Sequence, residues 1–297
     1  MTSKKHIIIF KNDAVGDLTQ SLPAINNIIK NNINTKIIIY LSERSINFLF
    51  LINNNSHENI EFRKINYDLN IFEKYKKFSY ILLNNISQIF ILTPKNFYFY
   101  LPFFFRSIEF LGVCIDGPNN YKRPNNFLRN YLFKYNINDR AKIFKRPSIT
   151  DIHYDLTNNT KIKKTFFNFD IRIKHSELLE KYLPEDYVYF HIKKNTVDKL
   201  GWGISELDYL FNSLLKYYKY VIFTKDIEKD TGEDVYQDEY STLDFATKKF
   251  IEKKKNIIFF DNIKGKDLYN TIMSSTKIVA FHGMMTNLGS LNKKSIT

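Results

Sequence analysis

The chain has 297 residues, enough for two domains, and its 44% hydrophobic and 25% charged residues mark it as globular rather than disordered. A single cysteine, Cys114, excludes an internal disulfide and a cysteine metal cluster. The net charge of +13 is uneven: residues 1–150 carry 21 Lys/Arg against 10 Asp/Glu, a balance of +11, and the remainder 23 against 21. A basic first half seeks an anionic partner, and phosphorylated lipid head groups, anionic membrane and nucleic acid all qualify. The alternative is a solvated surface that reflects lysine-rich coding. Nucleic acid ranks last, because no RNP-like or helix-turn-helix pattern accompanies the charge. The opening Met-Thr-Ser-Lys-Lys-His runs directly into strand-forming sequence without a signal peptide, which predicts a cytoplasmic protein.

The first predicted strand is Lys5–Phe10, and Thr19–Asn31 reads as the helix after it. Thr35–Leu41 is the next strand and Ser45–Leu51 a short helix. Asn59–Ile65 and Tyr80–Leu83 read as two further short strands. Residues 96–115 are strongly aromatic, interrupted by Pro102, Arg106 and Glu109. Those interruptions argue against a spanning helix, which needs roughly 20 mainly apolar residues. A buried helix plus strand is one reading of this run. An interfacial patch touching membrane, with Lys95, Arg106, Lys122, Arg123 and Arg129 near it, is the other. Phe127–Tyr135 has helical character, and Asp151–Glu180 is a mixed, polar connector.

The second half repeats the alternation. Tyr187–Ile192, Tyr220–Phe223, Asn256–Phe260 and Lys277–Phe281 read as strands. Ser205–Tyr217, Ser241–Lys254 and Lys266–Ser274 read as helices, and another begins near Met284. Such alternation predicts parallel sheets covered by helices. The expected organisation is residues 1–150, a connector over 151–182, and a second α/β domain over 183–297.

Three segments carry candidate chemistry. In the first, the strand Ile7–Phe10 leads through Lys11-Asn12-Asp13-Ala14-Val15 to Gly16-Asp17, with Pro23-Ala24 beyond. A strand, a glycine turn and a helix mouth form a crevice of phosphate or sugar size. A carboxylate held at its lip suits a general base. Asp17 is the first choice and Asp13 its competitor; the structural alternative for Asp17 is a helix N-cap. Lys11 is placed to bind an acceptor anion or support Asp17, or is a surface lysine. The second segment runs from Tyr187 through Lys193, Lys194 and Asp198-Lys199-Leu200-Gly201-Trp202, again strand, polar loop and helix. His191 fits a packed strand-end histidine, and Trp202 fits loop packing. The third is Lys277–Phe281 followed by His282-Gly283-Met284-Met285-Thr286, where exposed helix-start amides suit a diphosphate. There is no P-loop, no G-x-G-x-x-G and no Asp-x-Asp, so neither cofactor nor metal is called for.

These segments resemble glycosyltransferase family 9, the ADP-heptose:lipopolysaccharide heptosyltransferases. The family's opening strand ends in a similar Lys-x-x-x-x-Gly-Asp turn and runs on to Pro-Ala. Its second domain opens with a strand and a loop ending in Lys shortly before Trp-Pro. Asp198-Lys199-Leu200-Gly201-Trp202 is similar, with one extra residue and Gly203 in place of Pro. The family's third motif, Asp-[Thr/Ser]-Gly-x-x-His, corresponds to Phe281-His282-Gly283-Met284-Met285-Thr286. Its acidic residue and later histidine are absent here. The resemblance implies a GT-B fold, two facing Rossmann-like domains. Ser295-Ile296-Thr297 reads as the start of a strand, and the final strand and helix expected of the second domain do not follow, so the expectation is either a shortened second domain or a fragment of a longer chain.

It implies an inverting transfer of a sugar, a heptose in the family, from a nucleotide-diphosphate donor to lipopolysaccharide or another surface glycan. Asp17 would be the base, with Lys11, Asp13 and Gly16 at the acceptor. Lys199, Lys194, His282, Gly283, Met284 and Thr286 would hold the donor. The partners are then a nucleotide sugar and an anionic glycolipid or polysaccharide, with peripheral contact at the inner membrane face. The altered third motif favours a second reading, a degenerate, non-catalytic binder of nucleotide or glycan.

Overall fold

A computed structural model describes residues 5–52, 58–66, 68–93, 96–112, 114–116, 137–139, 149–157, 183–192, 197, 199–225, 253–260, 263, 265–281, 283–292 and 294–297. The chain divides into two compact units, Met1–Phe166 and Phe167–Thr297.

In the first unit, β1 (His6–Lys11), β2 (Lys36–Leu41), β3 (Ile60–Lys64), β4 (Ile86–Ile91) and β5 (Glu109–Gly112) form one sheet in the order β3-β2-β1-β4-β5. Every neighbouring pair is parallel. The central strand is a run of Ile and Phe buried on both faces, as expected for a sheet covered by helices on either side. The helices are α1 (Val15–Asn31), α2 (Glu43–Ile46), α3 (Ile71–Leu83) and α4 (Asn96–Phe104).

Right-handed crossovers place α1 and α3 on opposite faces, because the chain steps outward from β1 to β3 and then crosses back to β4. On the α3 and α4 side, Ile8, Phe10, Ile38 and Tyr40 pack against Ile81, Tyr98, Phe99 and Phe105. Phe10 stacks on Tyr98 at 4.1 Å and on Tyr40 at 5.1 Å between ring centroids. A short parallel pair, β6 (Cys114–Asp116) and β7 (Ile137–Asp139), follows. Helix α5 (Ile149–Leu156) packs on α1, where His153 Nδ1 meets Ser21 Oγ at 2.8 Å and Asn27 Nδ2 donates to Thr157 Oγ1 at 2.8 Å.

The second unit repeats the plan. Strands β8 (Tyr187–Ile192), β9 (Tyr220–Lys225), β10 (Ile257–Phe260) and β11 (Lys277–Ala280) pair in parallel in the order β10-β9-β8-β11. Among the described residues its helices are α6 (Ile204–Leu214), α7 (Gly265–Ser274) and α8 (Met284–Leu291). Phe190, Phe211 and Phe223 form its aromatic centre. Ser295–Thr297 lies alongside β11, where Ile278 N–H donates to Ser295 O and Thr297 N–H to Ile278 O, each at 3.0 Å.

Three expectations are corrected. The strand expected at Tyr80–Leu83 is the last turn of α3, and the strand lies at Ile86–Ile91. The reason is local. Asn70 Oδ1 accepts from Glu73 N–H at 2.8 Å and Glu73 Oε2 accepts from Asn70 N–H at 3.1 Å, a capping box that starts a helix of 13 residues. The first helix starts at Val15 rather than Thr19. Ser45–Leu51 is divided between α2, capped by Ser42, and a 3-10 turn at Leu49–Leu51. The helices expected at Phe127–Tyr135 and over most of Ser241–Lys254 lie outside the described residues, as does most of the 151–182 connector.

Asn70→Ala removes half of the capping box. It should lower stability in urea by about 1 kcal/mol while leaving the denaturant slope unchanged.

Candidate functional site

Open parallel sheets bind ligands beyond the carboxyl ends of the strands, where the strand order reverses. In the first unit that point lies between β1 and β4. The chain leaving both strands is tied together there. Leu92 and Thr93 N–H both donate to Phe10 O, at 3.0 and 3.1 Å, and Asn12 N–H donates to Thr93 Oγ1 at 3.0 Å. The Asn12 side chain is fully buried; Nδ2 donates to Asn66 O at 2.7 Å and Oδ1 accepts from Tyr98 Oη at 3.0 Å. The carbonyl of Asp13 accepts from Ser42 Oγ at 2.8 Å and Ser45 Oγ at 3.2 Å. Groups just beyond β2, β3 and β4 thus anchor the turn between β1 and α1.

Lys11 is a buried cation, only 1% exposed, and not the surface lysine that was its alternative reading. Its Nζ donates to Asp13 Oδ2 at 2.8 Å and to Leu92 O at 3.2 Å. Asp13 is the second half of this enclosed pair. Burial holds its carboxyl above the ordinary value, the charge of Asp17 adds to the rise, and Lys11 opposes it.

Asp17 is exposed, in contrast to Asp13. It does not cap the helix. Ala14 is the N-cap of α1, and Asp17 is the third helical residue, its N–H donating to Ala14 O at 3.0 Å. A carboxylate in the first turn is favoured by the positive end of the helix. Gly16 is the residue before it, its carbonyl accepting from Thr19 Oγ1 at 2.6 Å. The Asp17 carbonyl accepts from Ser21 Oγ at 3.0 Å, the hydroxyl that also meets His153 of α5. The structure therefore brings Lys11, Asp13, Gly16 and Asp17 to one turn at the reversal point. Asn12, Ser42, Thr93 and Tyr98, which shape the same turn, escaped the sequence reading. Only Ser42 and Thr93 carried a signal, as the polar residues that end the apolar runs of β2 and β4.

In the second unit the reversal point lies between β8 and β11. Gly283 is the N-cap of α8, immediately beyond β11. Its N–H donates to Thr286 Oγ1 at 3.0 Å, so the Thr286 hydroxyl serves the helix cap. The amides of Met284 and Met285 open the helix without an intrahelical partner. Lys199 is exposed, in the loop that follows β8. The loop turns at Gly201 in a left-handed conformation (φ 64°), and Trp202 N–H closes back on Val197 O at 3.0 Å. The Trp202 ring meets Phe281 edge-on at 6.0 Å, which tacks the loop to the segment between β11 and α8.

Beneath them lies a buried polar chain. His191 Nδ1 meets Thr224 Oγ1 at 2.9 Å, Thr224 meets Tyr189 Oη at 2.5 Å, and Tyr189 Oη reaches Met285 Sδ at 3.7 Å. His191 is thus a packed strand-end histidine. Lys193, Lys194 and His282 lie outside the described residues. Among the described residues there is no cluster of three or more His, Cys, Asp or Glu that would hold a metal.

Two units with this strand order, each with its polar turn at the reversal point, define the α/β architecture of GT-B glycosyltransferases and the epimerases built like them. Among solved structures, the glycosyl transferase family 9 protein from Veillonella parvula is similar at 12% identity and a TM-score of 0.64, covering 99% of this chain and 80% of that one. The E. coli heptosyltransferase WaaC with ADP is similar at 11% identity and a TM-score of 0.57, covering 98% and 86%. The UDP-GlcNAc 2-epimerase from Methanocaldococcus jannaschii is similar at 14% identity and a TM-score of 0.58, covering 98% and 82%. No family model matches the sequence, and no curated protein matches it. The likeness is one of fold.

The buried carboxyl of Asp13 sets a pH dependence. Its folded pKa lies above the ordinary 3.8, so its contribution to stability is present below that value and is lost as pH rises through the folded pKa. Stability of wild type relative to Asp13→Asn should therefore fall as pH rises through that window. Urea unfolding of both proteins across the acid range checks this, and parallel curves would show that Asp13 titrates normally.

Proposed function

We propose that the protein is an inverting glycosyltransferase that moves a sugar from a nucleotide-diphosphate donor to a hydroxyl of an anionic surface-glycan or glycolipid acceptor. One observation carries the reading: an exposed carboxylate, Asp17, in the first turn of the helix that leaves the reversal point of the first sheet. The fold it shares with heptosyltransferases, one of them solved with ADP, supports the donor class.

Asp17 takes the proton of the acceptor hydroxyl as that oxygen attacks the anomeric carbon. The bond from that carbon to the donor phosphate oxygen breaks on the opposite side, and the nucleoside diphosphate leaves with the electron pair. Lys199 and the opening amides of α8 offset its growing charge. The buried Lys11–Asp13 pair fixes the turn from within, and the acceptor meets the turn at Gly16 and Asp17. The reaction would run in the cytoplasm at the inner membrane face, with a heptose as the sugar the family resemblance suggests. Among the described residues no helix is long and apolar enough to cross a membrane, so attachment in this reading is peripheral.

A binder without turnover is the second reading. It is favoured by Phe281, which stands where the family has an acidic residue contacting the donor sugar, and by Thr286, whose hydroxyl is taken up by the cap.

Asp17→Asn should leave folding and nucleotide affinity unchanged and slow sugar transfer by about 10²–10⁴-fold. Transfer to a glycan acceptor extract, followed by release of nucleoside diphosphate, measures it. Turnover equal to wild type removes Asp17 from the base role.

A further inference from the structure

Helix α3 is amphipathic in the wrong sense for a protein in water. Its inner side is fixed to the sheet. Ile81 is buried, the Arg63 guanidinium lies 4.2 Å from the Tyr80 ring centroid, and Lys77 Nζ lies 4.5 Å from that of Tyr40. The helical period then puts Ile71, Phe72, Tyr75, Leu82 and Leu83 on the outward side. Ile71 is 84% exposed, Leu83 81% and Tyr75 67%. The face continues onto α4. Phe78 packs edge-on against Phe104 at 5.4 Å, and Tyr100, Phe103 and Phe104 are exposed beside it. Scattered exposed apolar residues are ordinary; a contiguous stripe across two helices is not.

Charge identifies what covers the stripe. Lys74 and Lys76 are exposed and flank it, one on each side by the same period, and Lys76 Nζ rests 4.3 Å from the Phe72 centroid. The acidic residue of the helix, Glu73, is turned back into the capping box. Two copies of the chain meeting through this face would bring like-charged lysines together, which disfavours a symmetric dimer. An apolar stripe bordered on both sides by amines matches the boundary of a bilayer instead, with rings and aliphatic chains among the upper acyl chains and amines among lipid phosphates.

We propose that the α3–α4 face of the first unit docks on an anionic lipid bilayer. The aromatic run of residues 96–115 contributes only its outward members; Tyr98, Phe99, Phe105 and Phe110 are core. Docking supplies the surface for the membrane contact of the transferase reading. Its test uses neither donor nor acceptor, so the two stand or fall separately.

The full chain is sedimented with vesicles of phosphatidylcholine alone and of phosphatidylcholine with phosphatidylglycerol, at low and high salt. The anionic vesicles should bind it preferentially, and the bound fraction should fall with salt without vanishing, because apolar insertion is not screened. Ile71→Ser with Leu83→Ser should weaken binding about tenfold or more at every salt concentration. Lys74→Gln with Lys76→Gln should weaken it about tenfold at low salt and little at high salt. Tyr209→Ser with Tyr217→Ser, exposed aromatics of the second unit, should change nothing. All six positions face solvent, so thermal unfolding should be unaltered and a folding defect is read directly. Equal binding to neutral and anionic vesicles at low salt overturns the proposal. So do α3 variants that bind like wild type, or a wild-type dimer in sedimentation velocity that Ile71→Ser with Leu83→Ser dissolves without changing vesicle binding.

Discussion

The first unit depends on how an ammonium group is kept at the end of its central strand. Removing Lys11 from water costs several kcal/mol, and only close, well-directed partners offset that. Asp13 provides one and the carbonyl of Leu92 the other. The second partner belongs to the segment beyond β4, so the cage exists only while β4 lies beside β1. The order of the strands and the shape of the turn are therefore one constraint. Asn12 extends it by joining Thr93, Asn66 and Tyr98. A turn held on this many sides keeps its course, and α1 begins in one place. That is what puts the Asp17 carboxylate at the lip while Asp13, four residues earlier, is enclosed. Two carboxylates in one turn are given different environments: one is a buried ion-pair partner, the other is open to solvent.

The second unit uses the same strand order for the opposite charge. Its reversal point offers no carboxylate among the described residues of the β11–α8 turn. It offers a helix start, a mobile-stemmed lysine in Lys199, and a tryptophan that ties the lysine's loop to Phe281. The His191–Thr224–Tyr189 chain beneath supports the first turn of α8 through Met285.

Much of this was legible in the sequence, and the failures have physical causes. Runs such as Ile7–Phe10 and Tyr187–Ile192 are apolar and β-branched or aromatic because both faces of a parallel strand are buried, and they gave β1 and β8 nearly to the residue. Tyr80–Leu83 misled for the reverse reason. Its apolar side chains belong to a helix whose outward face is itself apolar, so the usual 3.6-residue contrast is missing; the Asn70…Glu73 capping box was the readable clue. Gly16-Asp17 marked the right turn, but the helix start was set four residues late because Ala14 caps without a side chain. The cage around Asn12 was beyond reach. Its partners lie 54 to 86 residues away, and only the folded sheet brings them together.

In the proposed reading, the second unit's reversal point receives a nucleoside diphosphate. Amide hydrogen exchange of the full chain, with and without saturating ADP or UDP, tests it most directly. The amides of Met284 to Thr286, and those of the loop from Lys199 to Trp202, should exchange more slowly when one of these nucleotides is present, and the corresponding nucleoside should protect them less. Protection confined to other segments, or none with either nucleotide, would exclude a nucleoside-diphosphate site at this reversal point.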